Sequence, residues 1–427
     1  MGYSELYNRK RRILSFLCVC VLTAGCILFI HQMHGRKALP HPGFGQLQDS
    51  SAKIEDEDSS LPFSLSGIEF NAPVIAVSEG SSWLPLNNTW SFGGDFSLIG
   101  SFPLDESKVF GSLSKTPKDL ESYSPAIIQD GSVVSLTPHS NLIDGDYYEP
   151  QDGYGTDEFI VWRSGELAHS IDGVNDNWAL QAYDSTNEKC ITIDTSYQLN
   201  GTKETPRLPG EIVPTFNNEH ICFASNVLID GEWIPQIIVY DREEDYSRHL
   251  LAYGNYPCAS KSQILYAGYS REELLYNQLI GWDGETTEEI FSIDESGSWS
   301  ISGIWSSPSV MAVSISEDSS LTNCEEKGTY IGFWNKSSMK PLIWIHVHSP
   351  SVLGSINDNW FVWGSGSQNK YAGMYGLNLN TNNVYLLGET KGYSRPKIAV
   401  NSNAVLLPVL KDGLNAVQFD LGELASD

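Results

Sequence analysis

The chain of 427 residues lacks the short signatures that mark a catalytic or cofactor centre. It has no G-x-S-x-G nucleophile elbow, no phosphate-cradling P-loop, no dinucleotide-binding glycine fingerprint and no H-E-x-x-H zinc helix. Serine hydrolases built on the nucleophile elbow need an α/β domain, and no helical stretch remains here to build one. Basic residues are scarce, 26 Lys and Arg against 53 Asp and Glu, which gives a formal charge of −27. Such a surface repels phosphate backbones and counts against nucleic acid as a partner. Cysteines number only 7, and none has the C-x-x-C spacing of a zinc site. No cofactor is expected.

Apolar residues make up 41% of the chain, enough to bury a core, so disorder is not its default state. The aromatic share is 11%, with 12 Trp and 20 Tyr. Flat rings pack well on a pleated surface, and with few helix-favouring charged stretches this bias predicts an all-β protein.

One long apolar run stands at the N-terminus. Ile13 to Ile30 carry no charged side chain, and eighteen helical residues span about 27 Å, close to the hydrocarbon thickness of a bilayer. Arg9, Lys10, Arg11 and Arg12 precede the run, which predicts a cytoplasmic N-terminus and export of all that follows. The expected layout is a cytoplasmic tail at 1–12, a transmembrane signal-anchor helix at 13–30, a flexible Gly-, Pro-, Ser- and acid-rich stalk at 31–63 and an extracytoplasmic domain at 64–427. A cleaved signal peptide is one alternative. Lipidation at Cys26, within a lipobox-like Leu22-Thr23-Ala24-Gly25-Cys26, is another. Every version exports the domain, where Cys190, Cys222, Cys258 and Cys324 are either disulfide partners or buried thiols. Asn87, Asn200 and Asn335 each begin an N-x-[ST] sequon.

From Ser122 onward, short β-rich runs recur between Gly, Asn, Asp and Ser clusters. Many end on a large residue followed by Asp or Asn: Tyr183-Asp184, Tyr240-Asp241, Trp282-Asp283, Trp334-Asn335, Leu379-Asn380 and Phe419-Asp420. Those Asp and Asn positions lie 57, 42, 52, 45 and 40 residues apart. A four-stranded unit of about 40 to 50 residues is what a propeller blade requires. The Asp or Asn fits the turn between its two outer strands, where the side chain bonds the backbone.

Second, third and fourth strands follow in four units. They are expected at Glu219–Ala224, Pro235–Tyr240 and Arg248–Tyr253, then at Ile264–Ala267, Asn277–Trp282 and Glu289–Ile293. The next two units place them at Val310–Ser314, Tyr330–Trp334 and Leu342–His346, then at Trp360–Trp363, Tyr371–Leu379 and Val384–Leu387. Earlier, Phe159–Trp162 followed by Arg163–Glu166 reads as a third strand and its turn. The Asn-Asp-Asn-Trp at 175–178 and 357–360 then aligns two second strands, although chance identity also explains it. The expected fold is therefore an all-β, six- to seven-bladed β-propeller, with seven preferred, preceded by one N-terminal transmembrane helix. A closing strand is to be sought within residues 64–118, where the pattern does not place it.

Tyr123-Ser124-Pro125-Ala126-Ile127-Ile128-Gln129-Asp130-Gly131 resembles the Ser-Pro-x-x-x-x-Asp-Gly inner-strand signature of TolB-type repeats. The whole pattern, over roughly residues 120–423, is similar to the TolB-like and WD40-like propeller superfamily. That resemblance implies the fold. The other copies lack the Pro and the Asp-Gly, so no activity or site residue is carried over.

Two constellations have metal-ligand character. His346 and His348 lie two apart on an expected strand and face one side, but no third ligand is visible. Asp144, Asp146, Glu149, Asp152 and Asp157 gather carboxylates without the spacing of a calcium loop, and a solvated inter-strand insertion is the expected reading. Trp162, Trp178, Trp282, Trp334, Trp360 and Trp363 fall inside strand runs, where packing between blades accounts for them. The expected function is a binding or scaffold module whose propeller face engages a protein, peptide or envelope glycan. The alternative is an envelope glycan-active hydrolase or lyase using carboxylates in the propeller channel.

Overall fold

The computed structural model describes residues 61–77, 81–92, 97–114, 124–129, 132–136, 142–143, 146–166, 175–208, 213–251, 253–270, 275–294, 298–317, 328–349, 352–365, 371–389, 395–410 and 417–425. Among them no helix is long and apolar enough to cross a membrane, and residues 13–30 with Cys26 lie outside this set.

Four short strands come first: β1 (Ser64–Ser66), β2 (Val74–Ala76), β3 (Ser82–Trp83) and β4 (Asn87–Phe92). Blade 1 is β5 (Ser97–Pro103), β6 (Lys108–Ser114), β7 (Ser124–Gln129) and β8 (Ser132–Ser135). In blade 2, β9 (Leu142–Ile143) precedes β10 (Asp146–Gly155), β11 (Phe159–Glu166), β12 (Trp178–Asp184) and β13 (Lys189–Thr195). A single helical turn, α1 (Ser196–Asn200), leads to blade 3, made of β14 (Thr215–Phe216), β15 (His220–Ile229), β16 (Glu232–Asp241) and β17 (Arg248–Leu251). Blade 4 comprises β18 (Gly254–Ala259), β19 (Ile264–Ser270), β20 (Leu275–Trp282) and β21 (Thr287–Asp294). Blade 5 comprises β22 (Trp299–Ser306), β23 (Val310–Glu317), β24 (Thr329–Asn335) and β25 (Lys340–Val347). Blade 6 comprises β26 (Val352–Ile356), β27 (Trp360–Ser365), β28 (Gly373–Asn378) and β29 (Asn383–Gly388). Blade 7 draws β30 (Lys397–Ile398), β31 (Ala404–Leu410) and β32 (Val417–Glu423) from the C-terminal end of the chain and its outermost strand, β4, from the other end. The inner strands β5, β10, β14, β18, β22, β26 and β30 neighbour one another in a closed circle. The protein is a seven-bladed β-propeller.

The described residues between 61 and 92, whose role the repeat pattern left open, are a belt. β1 pairs antiparallel with the outer strand of blade 4, β2 and β3 pair parallel with those of blades 5 and 6, and β4 completes blade 7. Indole N–H groups hold it between pairings, since Trp334 Nε1 donates to the Glu69 carbonyl and Trp344 Nε1 to the Phe70 carbonyl, each at 2.9 Å. Phe63 and Leu65 are buried among the aromatics of blades 4 and 5. The closing strand is tied on by Ser91, which bonds Asp420, and by Trp90 Nε1, which donates to the Glu106 carbonyl of blade 1 at 3.2 Å.

The core is a set of apolar layers between neighbouring blades. Second strands are covered on both faces and so read as continuous apolar runs. β23 (VMAVSISE) and β27 (WFVWGS) are buried at every position, whereas outer strands such as β17 expose most of theirs. Trp162, Trp178, Trp334, Trp360 and Trp363 are fully buried and Trp282 nearly so, as expected for packing between blades.

The two faces of the ring are built differently. On one, here the lower face, first strands turn into second strands and third into fourth, and a short polar side chain caps most of these turns. Asp184, Asp241, Asp283 and Asn335 each accept from backbone N–H groups two or three residues ahead. In blade 6 the cap is Asn378, not Asn380, and Asp420 lies within β32 opposite Ser91 and caps nothing. Three other expectations are corrected. Ser124–Gln129 is the third strand of blade 1, not its inner strand; first and third strands run the same way and end on the same face, so both lead into similar turns. Phe159–Glu166 is one continuous second strand, because Arg163 is buried and paired instead of turning out. The two Asn-Asp-Asn-Trp segments precede a third strand and a second strand respectively, on opposite faces, and are not equivalent.

Candidate functional site

On the upper face, second strands lead to third strands and each blade leads to the next. The seven inner strands enclose a channel of about 850 Å³. Ligand pockets of roughly 300 to 1,000 Å³ are the usual range, so this one is ample for a small ligand or the end of a longer one. Glycines let aromatic rings close against its inner strands. A Cβ on Gly153 would lie 2.6 Å from the Phe102 ring, one on Gly303 would lie 2.6 Å from Trp305, and one on Gly354 would lie 2.4 Å from Phe361.

One sector of the wall is aromatic. Tyr256, Tyr269 and Tyr276 stand on three different strands of blade 4, with Tyr276 in the middle at 5.1 Å from Tyr269 and 5.9 Å from Tyr256 between ring centroids. Tyr256 reaches the channel through a bulge in β18, where its backbone takes φ 53°. That left-handed conformation is unfavourable for a bulky residue and persists only where the surroundings impose it; here the Asn255 Oδ1 accepts from the Tyr256 N–H at 2.8 Å. Burial pushes the Tyr256 phenol up to about 12 and raises that of Tyr276. Both stay neutral hydroxyls at physiological pH.

Beside this sector, blade 5 contributes Ser300, Ser316 and Glu317. Glu317 is largely buried, and its Oε1 accepts from Ser298 Oγ at 2.7 Å. Among the described lining residues Glu317 and Lys397 are the only charged ones. At the lower end, Lys336 Nζ donates to Ser306 Oγ at 3.1 Å and to the Ser307 carbonyl at 2.8 Å. Burial brings its pKa down, with Asp358 opposing. The Cys258 thiol on the same wall is pushed up to about 12 by burial and is not a reactive thiolate.

The expected constellations do not converge on this channel. His346 and His348 join a row of half-buried rings over blades 5 and 6. Tyr330 stacks on His346 at 4.4 Å, the two imidazoles lie 4.6 Å apart and His348 stacks on Tyr371 at 4.2 Å. Among the described residues no group of three or more His, Cys, Asp or Glu is placed to hold a metal ion. The acidic stretch is not a solvated insertion: Asp146 to Gly155 form the inner strand of blade 2. Asp152 is bound by Arg163 and by Arg395 at 3.1 Å, whereas Asp157 pairs with Lys108 at 3.0 Å in a lower-face turn. Asp144 and the side chains of Asp146 and Glu149 lie outside the described set. Cys190, Cys222 and Cys258 are free thiols, and Cys324 lies outside that set.

Sequence reasoning missed Arg163. It is 1% exposed, bonds Asp176, and reaches Gln151 at 2.6 Å. Burial alone would lower its pKa, but Asp176 and Asp152 outweigh it and keep the guanidinium charged. Arg395 joins the same Asp152, so one carboxylate ties blade 2 to the segment entering β30 of blade 7. Nothing in the spacing of Arg163 and Arg395 signals this, because they are 232 residues apart in sequence.

No protein-family model matches this sequence, and no curated protein does. Solved structures do match its fold. An oligogalacturonate lyase in complex with manganese aligns with TM-score 0.50 and 9% identity over 81% of this chain and 99% of that one. The β-propeller domain of the Trilobed protease from Pyrococcus furiosus aligns with TM-score 0.47 and 8% identity, over 79% and 98%. TolB from Acinetobacter baumannii aligns with TM-score 0.35 and 11% identity, over 66% and 80%. At such identities the likeness speaks for the propeller fold alone.

Proposed function

We propose that the protein is a membrane-anchored, extracytoplasmic binding module that takes its ligand, a protein segment, peptide or glycan, into the upper mouth of the central channel. The apolar run Ile13–Ile30 and its preceding basic cluster support the anchor. The observation that carries the binding reading is the channel itself: about 850 Å³, walled by aromatic rings and hydroxyls, and furnished with Glu317 as its sole described carboxylate. A glycan-active hydrolase, one form of the other reading, works in its usual form with a pair of carboxylates flanking the scissile bond. The described channel offers no such pair.

The test is a thermal-shift screen of peptides and oligosaccharides on the wild-type protein and on Ser300→Trp, which plugs the mouth. Ligands that bind the folded state raise Tm. The reading expects hits that stabilise the wild type, leave Ser300→Trp unmoved and emerge uncleaved. Hits that stabilise both proteins equally would place binding elsewhere, and chain shortening of a hit would favour the enzyme.

A further inference from the structure

The chemistry of the channel mouth also selects a class of ligand, an inference that rests on the binding reading above. We infer that the mouth between blades 4 and 5 is a subsite for an uncharged oligosaccharide, laid against Tyr256, Tyr269 and Tyr276 with its hydroxyls toward Ser300, Ser316 and Glu317.

Four observations combine. The first is the wall of three tyrosines: a pyranose ring has one apolar C–H face, and that face packs on aromatic rings. Tyr276 is central, touching both of the others.

The second is the strained bulge, which holds Tyr256 at φ 53° and brings it to the lining. The bulge sets this ring against Tyr276 on the channel wall.

The third is what stands beside the rings. Sugar hydroxyls both donate and accept, and so do the serines at 300 and 316; the Glu317 carboxylate, whose Oε1 accepts from Ser298, adds an acceptor to this side of the mouth. A peptide would ask instead for an open strand edge or for apolar pockets at alternate spacing. The inner strands β18, β22 and β26 end their sheets at the channel with one edge unpaired, so the tetrapeptide probe below decides between the two ligand classes.

The fourth is charge. Glu317 and Lys397 are the only charged residues in the described lining, and the chain carries −27 overall. A polyuronate or other acidic glycan would bring its carboxylates to a site with a single described cation under a repelling field. A neutral chain meets no such penalty.

Isothermal titration of the full chain in detergent separates these possibilities, with four probes: a glucose tetrasaccharide, an N-acetylglucosamine tetrasaccharide, a galacturonate tetrasaccharide and an uncharged tetrapeptide. At least one neutral sugar should bind while the galacturonate does so at least about tenfold more weakly. Tyr276→Ala should weaken that binding about tenfold or more, whereas Tyr276→Phe, which keeps the ring, should stay within about threefold. A Tm within a few degrees of wild type certifies each variant as folded.

Galacturonate binding as tight as the neutral sugars, or Tyr276→Ala without effect, would overturn the neutral-glycan inference and leave the channel reading standing. Binding of the peptide with no sugar would do the same. Sugar binding that survives Ser300→Trp would overturn both.

Discussion

Asp358 shows at residue scale how the lower face is held. Its carboxylate accepts from Ser307 Oγ at 2.7 Å, from the Ser309 N–H at 2.9 Å and from Ser309 Oγ at 2.7 Å, so a turn of blade 6 grips a turn of blade 5. Burial would raise its pKa, but these bonds and the nearby Lys336 ammonium bring it below the ordinary carboxylate range. Asp105, Asp184, Asp241 and Asp283 are lowered in the same sense by turn hydrogen bonds. A carboxylate with a depressed folded pKa contributes stability that is complete above its unfolded value, about 3.9, and is lost as pH falls through the folded value. Unfolding free energy should therefore be insensitive to these groups from about pH 5 to 7 and fall below about pH 4. In Asp358→Asn, which keeps an acceptor but cannot titrate, the acid limb should be shallower. Urea melts at several pH values measure this, and an unchanged limb would remove Asp358 from the account. The caps at Asp184, Asp241, Asp283 and Asn335 were legible in the sequence because each follows a large residue and serves its own turn, whereas Asp358, which serves a turn of another blade, was not. Arg163 was not, because its partners come from separate segments and burial has no local signature.

At the scale of elements, the belt is the least legible part of the chain and the most consequential for closure. Its strands have two to six residues, too short to show periodicity, and β2 and β3 pair parallel with strands about 270 and 300 residues away. Only the partners' outer edges define them. Blade strands are legible for the opposite reason: each belongs to a hairpin whose turn and apolar run lie side by side in sequence. The second, third and fourth strands expected in blades 3 to 6 were found there, while the inner strands, which run from two to ten residues and share no pattern, were not foreseen.

The belt account makes its own prediction. Trp344→Phe keeps a ring in the core but removes the N–H that holds the Phe70 carbonyl, and it should cost about 1 to 3 kcal/mol. Amide exchange should quicken at Val74–Ala76 ahead of blades 1 to 3, since local opening begins where pairing is thinnest. Equal acceleration in every blade would mean that the belt does not open as a unit.

At the scale of the whole molecule, the charge and the repeat spacing gave the class of the protein, and the strand pairings decided for seven blades. Closure by β4 makes the N-terminal and C-terminal parts of the domain mutually dependent. The capped lower face and the tyrosine-lined upper mouth are the two ends of the channel, and the proposed site lies at the upper one. Outer edges are the competing surface: β8 of blade 1 exposes Val133 and Val134, and an open strand edge is a recognised docking template.

Photo-crosslinking in the host cell decides between them, with benzoylphenylalanine in place of Tyr269 in the mouth or of Val134 on that edge. Covalent capture of a ligand from position 269, with none from position 134, is the result predicted; capture from 134 alone would contradict the claim that the channel is the binding site.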